Sequence, residues 1–272
     1  MSSPSSSSEP LPHPSIPTGL SKNQQKRIIR EQRRQELKHQ HQRRQELSQL
    51  STEELDIIRA QTATKRLERR IANDQRKAKL NYALVNPNSL TIVLDCGYSS
   101  ILSDKELQST CKQMEFIYGN NAKLDSPAYL SFASCTGPFL LAMDQYHPTH
   151  RNWIVNKTED PFHSSSACRS KEIIYLSADA EEVLDAVDSD HAYIVGAVVD
   201  RNRLKGESLK EAQAFKSKRL PLPEHVVLKS SCVLTTVAVV DMLVKRFSGM
   251  SWPMVFRESL PKRKVEQFLT EG

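Results

Sequence analysis

The sequence predicts an α/β domain with a mostly parallel sheet, preceded by a long basic helical extension. Three observations carry this. From residue 88 onward, short apolar and β-branched runs alternate with amphipathic stretches, the pattern of strands buried on both faces and joined by crossover helices. Residues 21–80 contain neither Gly nor Pro and are rich in Gln, Arg, Lys, Glu and Leu, all strong helix formers. The net charge of +6 is also unevenly placed. The stretch from Leu20 to Leu80 holds 17 Lys/Arg against 8 Asp/Glu, so the remainder is slightly acidic.

At 272 residues the chain is too long for one small core and too short for two large domains. Hydrophobic residues at 38% and aromatics at 6% are low for a wholly packed chain, so part of it stays outside any core. The opening MSSPSSSSEPLPHPSIPTGL is Ser/Pro-rich and predicts a disordered tail over 1–20. It has no apolar centre and no Lys or Arg before Lys22, unlike a secretory signal or a mitochondrial presequence. Five scattered cysteines without a CxxC pair point to a reducing compartment, nucleus or cytoplasm. No apolar run is long enough to span a bilayer.

The extension, residues 21–86, reads as two polar helices broken near Ser48–Thr52. The second starts at a capping box, Ser51 with Glu54 three residues on. Apolar residues are too sparse for a coiled-coil seam. One reading is a solvated helix laced with i, i+4 ion pairs; the other is an arm that neutralises nucleic-acid phosphates. The charge surplus favours the second. No Phe, Trp or Tyr precedes Tyr82, so such an arm reads backbone and shape without stacking on bases.

The α/β domain follows over 88–268. LTIVLDC is its first strand, and Ser103 with Glu106 opens a helix whose apolar positions are Leu107, Cys111, Met114 and Tyr118. AYLSFAS is a second strand and NWIV a short third. EIIYLSAD reads as a strand running into a helix capped by Ser177 or Asp179, and AYIVGAVV as the next strand. SLKEAQAF opens a helix at Ser208, and KRLPLPEHVVL is an extended segment interrupted by two prolines. CVLTTVAVVDMLVKRF predicts a helix apolar nearly all round and therefore buried. SWPMVFRESL predicts a last helix with Ser251 at its cap and Pro253 just inside. No strand is followed by GxGxxG or a P-loop, so neither a dinucleotide nor a nucleoside triphosphate is indicated. No metal-ligand spacing occurs, and YHPTHR, with His147 and His150, reads as a loop.

The ordered motifs IIYLSADAEEVLD, AYIVGAVVDRNRLKG, KRLPLPEHV, VLTTVAVVDML and ESLPKRK resemble the SPOUT-class methyltransferases that modify N1 of the purine at tRNA position nine. The likeness covers about residues 88–268, with a basic helical extension in front. It implies a SPOUT fold whose C-terminal part forms a deep trefoil knot, S-adenosyl-L-methionine as cofactor, tRNA as partner, and action as a monomer without metal. It also accounts for the missing glycine-rich turn, because this cofactor carries no phosphate to cradle.

By motif, the resemblance implies that Asp200 is the base drawing the proton from guanine N1. Cofactor contacts would come from Leu176, Gly196, the Asp200, Arg201, Asn202, Arg203 and Leu204 loop, Leu222, and the Leu234, Thr235 and Thr236 turn. Gln113, Arg201, Asn202, Arg203 and Lys205 would meet the substrate. Two departures stand out. Val237 and Ala238 replace the family's Asn-Gln, and Phe116 and Ala122 replace two cations.

Overall fold

The computed structural model describes residues 21–199, 215–221, 226–228, 234–260 and 265–268. The chain divides into two compact units, residues 1–69 and 70–272.

In the first unit, α1 runs over Lys22–Ser48, and α2, Thr52–Ala83, begins here and continues into the second unit. The second helix starts at the expected capping box, and the first starts in the same way. Ser21 N–H donates to Gln24 Oε1 at 2.9 Å while Gln24 N–H donates to Ser21 Oγ at 3.3 Å. Ser51 and Glu54 repeat that exchange at 2.8 and 3.2 Å, which holds the Glu54 carboxyl below its usual range. These reciprocal bonds satisfy donors that a helix start leaves open. Between the two helices lies a groove of about 870 Å³ lined by Arg44, Ser48, Leu55, Ile58, Arg59 and Arg66, among others.

Among the described residues, the second unit is built on a seven-stranded parallel sheet. Its strands are β1 (Thr91–Asp95), β2 (Tyr129–Ala133), β3 (Asn156–Lys157), β4 (Glu172–Leu176), β5 (Glu182–Val183), β6 (His191–Gly196) and β7 (Lys216–Arg219), in the order β3-β2-β1-β6-β4-β7-β5. A separate antiparallel pair joins β8 (Val226–Leu228) to β9 (Val265–Phe268). One face of the sheet presents Ile92, Leu94, Leu130, Phe132, Tyr193 and Val195 to four helices. These are α3 (Asp104–Asn121), α4 (Gly137–Tyr146), α5 (Thr236–Phe247) and α6 (Trp252–Ser259). The other face, with Val93, Tyr175, Ala192 and Ile194, is packed by Phe162, Ala167, Cys168 and Phe215.

Local chemistry sets the helix ends. The Glu106 carboxylate accepts from both the N–H and the hydroxyl of Ser103, opening α3. α5 stops at Gly249, whose φ of +96° is the left-handed geometry that glycine adopts freely. Ser251 and Pro253 stand at the start of α6 as expected.

Three expectations are corrected. The residues after EIIYL do not form a helix. Ser177 N–H donates to Lys218 O, Leu184 N–H donates to Arg219 O, and Glu182 and Val183 pair with β7. Ladder bonds that cover the outer edge of β7 outweigh the helix propensity of ADAEEVLDA. NWIV is not a strand either: a 3-10 turn occupies Pro148–Asn152 and pairing begins only at Asn156. Finally, α5 begins at Thr236 and buries only Thr236, Val240, Met242 and Leu243, because it lies in the outer layer against α3 and α6. The helix expected at Ser208 lies outside the described residues, as does part of the C-terminal region in which the knot is expected.

Leu94 is fully buried whereas Leu141 is 71% exposed. Leu94→Ala is expected to cost about 2–5 kcal/mol and Leu141→Ala less than about 0.5 kcal/mol, read as shifts in the urea unfolding midpoint.

Candidate active site

The carboxyl ends of β1, β6 and β4 finish side by side, since Asp95 pairs with Gly196 and Leu176 with Val195. In parallel sheets this edge is where ligands bind. Three of the expected cofactor segments meet there. Leu176 ends β4, Gly196 ends β6, and the Thr236 hydroxyl at the start of α5 donates to Gly196 O at 3.4 Å, bringing the Leu234–Thr236 turn to the same place. Thr235 caps α5, its Oγ1 accepting from Ala238 N–H at 3.2 Å. Gln113, on α3, reaches this turn too: its Oε1 accepts from Val237 N–H at 3.3 Å. Asp200, Arg201, Asn202, Arg203, Leu204, Lys205 and Leu222 lie outside the described residues.

An added Cβ on Gly196 would sit 3.4 Å from the Tyr98 ring and 3.6 Å from the Tyr175 hydroxyl, ordinary contact distances. The glycine therefore packs against two tyrosines, and on that side it needs no exceptional space.

Those tyrosines belong to a buried polar cluster that sequence reasoning does not single out. Tyr175 donates to Asp95 Oδ2 at 3.3 Å, and the hydroxyls of Tyr98 and Tyr175 are 2.8 Å apart. Asp95 Oδ1 accepts from Gly97 N–H at 3.1 Å, and the Ser134 hydroxyl also bonds the carboxylate. Ser134 has a φ of 54°, rare for a residue with a side chain. A Cβ on Gly97 would come within 3.1 Å of Asp95 Oδ1, so glycine suits that close turn. Burial pushes the Asp95 carboxyl above its usual value, with these donors and His163 pulling the other way. The sequence does hold a signal for this cluster: an Asp closing the apolar run TIVLD, and a Tyr inside IIYL.

The two histidines of YHPTHR are engaged locally. His150 Nε2 lies 2.8 Å from Asp144 Oδ1, and His147 Nδ1 lies 3.2 Å from Glu115 Oε2. Among the described residues, no group of three or more His, Cys, Asp or Glu is arranged to hold a metal, and no helix is long and apolar enough to cross a membrane.

A carboxyl raised by folding favours the native state below its unfolded value and loses that contribution as pH rises through its folded value. Asp95→Asn abolishes this titration. Its stability relative to the parent should therefore grow as pH rises through the acid range, measured by paired urea titrations. A difference independent of pH would contradict the assignment.

Similarity to known proteins identifies the family and the fold. The Schizosaccharomyces pombe tRNA (guanine(9)-N1)-methyltransferase is 29% identical over 212 residues, 76% of this chain and 69% of that one. The Kluyveromyces lactis protein of the same name is 28% identical over 261 residues, 93% of this chain and 85% of its own. Among solved structures, full-length spTrm10 in complex with SAH matches with a TM-score of 0.58 at 29% identity, covering 65% of this chain and 98% of that one. The model of the tRNA (guanine(9)-N(1))-methyltransferase family TRM10/TRM10A matches residues 18–265. The chain therefore belongs to the TRM10/TRM10A family, and its α/β unit has the fold of those methyltransferases.

Proposed function

We infer that this chain is an S-adenosyl-L-methionine-dependent methyltransferase acting on N1 of guanine 9 in tRNA, with Asp200 as the general base. The convergence of Leu176, Gly196 and the Leu234–Thr236 turn at one strand edge carries the reading, together with the activity named for the relatives. The residues suit this cofactor: leucines and backbone groups for an adenosyl and a methionyl chain, in a sequence without a glycine-rich phosphate motif. Leu176 and Leu220 are largely buried beside that edge, so the strand ends offer an apolar floor.

When bound, S-adenosylmethionine supplies the methyl group as a sulfonium electrophile. The remaining chemistry falls to the chain. Guanine N1 is a weak acid whose proton must leave as the carbon–nitrogen bond forms, so a positioned carboxylate helps. Asp200 follows Val199 by one peptide bond, beyond the end of β6. In this reading Arg201, Asn202, Arg203 and Lys205 hold the nucleotide and adjoining phosphates once the base has left its stack. The remaining cofactor contacts would come from the Asp200, Arg201, Asn202, Arg203 and Leu204 loop and from Leu222, and the knot would fall in the C-terminal region. The basic extension 21–86 supplies RNA phosphate contacts, so the chain works as a monomer. Its four described cysteines are free and buried, in keeping with a reducing nucleus or cytoplasm.

Nucleoside mass spectrometry of tRNA transcripts tests the reading. A transcript with guanine at position nine should yield 1-methylguanosine, and one with adenine should yield far less product. Asp200→Asn should slow the guanine reaction by about 10²-fold or more, most strongly at low pH. No product from either transcript despite tight tRNA binding would favour a scaffold instead.

The arm has a separate test. Replacing Arg44, Arg59 and Arg66 together by Gln should weaken tRNA binding and flatten its salt dependence, the slope falling by about one for each phosphate no longer neutralised. Affinity for S-adenosylhomocysteine should not change. An unaltered salt slope would show that these arginines do not touch the RNA.

A further inference from the structure

The start of α5 is held from outside itself. A helix N-terminus leaves its first N–H groups without intrahelical partners. In α5 the local cap, Thr235, satisfies Ala238 N–H, but Val237 N–H is taken by Gln113 Oε1, from a residue 124 positions earlier in the sequence. Thr236 is tied in turn to Gly196 O. The side chains of Val237 and Ala238 are aliphatic and offer this turn no polar group of their own. Gln113 is also not part of the buried stripe of α3, which consists of Thr110, Cys111, Met114, Ile117 and Asn121. Its amide stands at the rim and is directed at a backbone donor.

We propose that Gln113 is a positioning residue for the cofactor: by clamping Val237 N–H it fixes the Leu234–Thr236 turn against the end of β6. This deepens the methyltransferase reading and rests on that turn belonging to the cofactor site. Thr236 can hold Gly196 only while the first turn of α5 keeps its place, and α3 supplies the outer support for that turn. With Oε1 engaged by Val237, the amide keeps one further lone pair and its two Nε2 hydrogens for other partners. The side chain is thus oriented before any nucleotide arrives.

The experiment uses the full chain. S-adenosylhomocysteine affinity is measured by calorimetry, tRNA affinity by gel shift, and kcat and KM with guanine-nine transcripts. Gln113→Met keeps the length of the side chain and removes the acceptor. It should weaken cofactor binding about tenfold, the scale of one hydrogen bond, and raise KM for S-adenosylmethionine with kcat little changed. Gln113→Glu keeps an acceptor and should restore most of that affinity, which controls for folding. Val237→Pro removes the donor at the second helical position, where Pro253 already stands in α6. In that background Gln113→Met should add nothing further, whereas additive losses would overturn the clamp.

Unchanged cofactor affinity in Gln113→Met would overturn the proposal and leave the methyltransferase reading standing. Weakened tRNA binding with normal cofactor affinity would also overturn it, making Gln113 a nucleotide contact. If the parent chain bound no S-adenosylhomocysteine, the underlying reading would fall and take the proposal with it.

Discussion

The register of β6 between β1 and β4 is the constraint on which the rest of the second unit depends. β6 is paired in parallel on both sides, with Ile194 opposite Val93 and Tyr175. Side-chain direction alternates along a strand, so a slip of one residue would turn Tyr193 and Val195 away from the helices and bring Ala192 and Ile194 toward them. The two faces are not interchangeable. The helical face buries large side chains between layers, while the other face has Ala192 and Gly196 beneath a short irregular segment and two tyrosines. That asymmetry selects one register. The same register brings three strand ends to a common level, which is why Asp95, Leu176 and Gly196 are neighbours although distant in sequence.

Charge is used differently at the two ends of this sheet, half-buried at one and buried at the other. At the amino edge, Lys171 Nζ donates to the carbonyls of Pro87, Ser89 and Ser189 at 3.0, 3.1 and 2.5 Å. Burial lowers its pKa, yet three acceptors take all three donors of the ammonium, and three loops are tied together. At the carboxyl edge, Asp95 is surrounded by donors: Gly97 N–H, the Ser134 hydroxyl and the Tyr175 hydroxyl. A carboxylate taken from water costs several kcal/mol unless such partners replace its hydration. These partners also fix the Gly97–Ser100 turn and the Tyr98 ring against Gly196. The network thus stiffens the floor beneath the segment that leads to Asp200.

Much of this is legible from composition and local pattern, and the failures have physical causes. Capping boxes at Ser51 and Ser103 announce helix starts because their chemistry is complete within four residues. The apolar runs around Ile92, Leu130, Ile174 and Ile194 announce buried strands because burial on both faces excludes polar residues. What fails is decided by distant partners. Residues 180–187 favour a helix until β7 offers an open edge. α4, starting after Thr136, escapes notice because its Gly137-Pro138 opening reads locally as a turn although Pro suits the first helical turn. The resemblance assigns Gln113 to the substrate by position alone. Its bond to Val237 joins α3 to α5, and no local pattern encodes a bond across 124 residues.

The division of charge follows from the same economy of parts. A helical arm with a surplus of cations and no aromatic residue before Tyr82 can neutralise phosphates, and phosphate contacts act alike on every sequence. It can add affinity and a salt dependence, but it cannot distinguish guanine from adenine. That choice requires groups facing the base-pairing edge. On the function inferred here, it falls to whatever stands beside the methyl donor at the carboxyl edge of β6. Guanine N1 carries a proton and adenine N1 does not, so a carboxylate at that place favours guanine by chemistry as well as by fit. A base that must surrender its proton to one fixed group is selected in the same step that makes it reactive. On that reading, specificity depends on how rigidly the strand ends and the first turn of α5 are held.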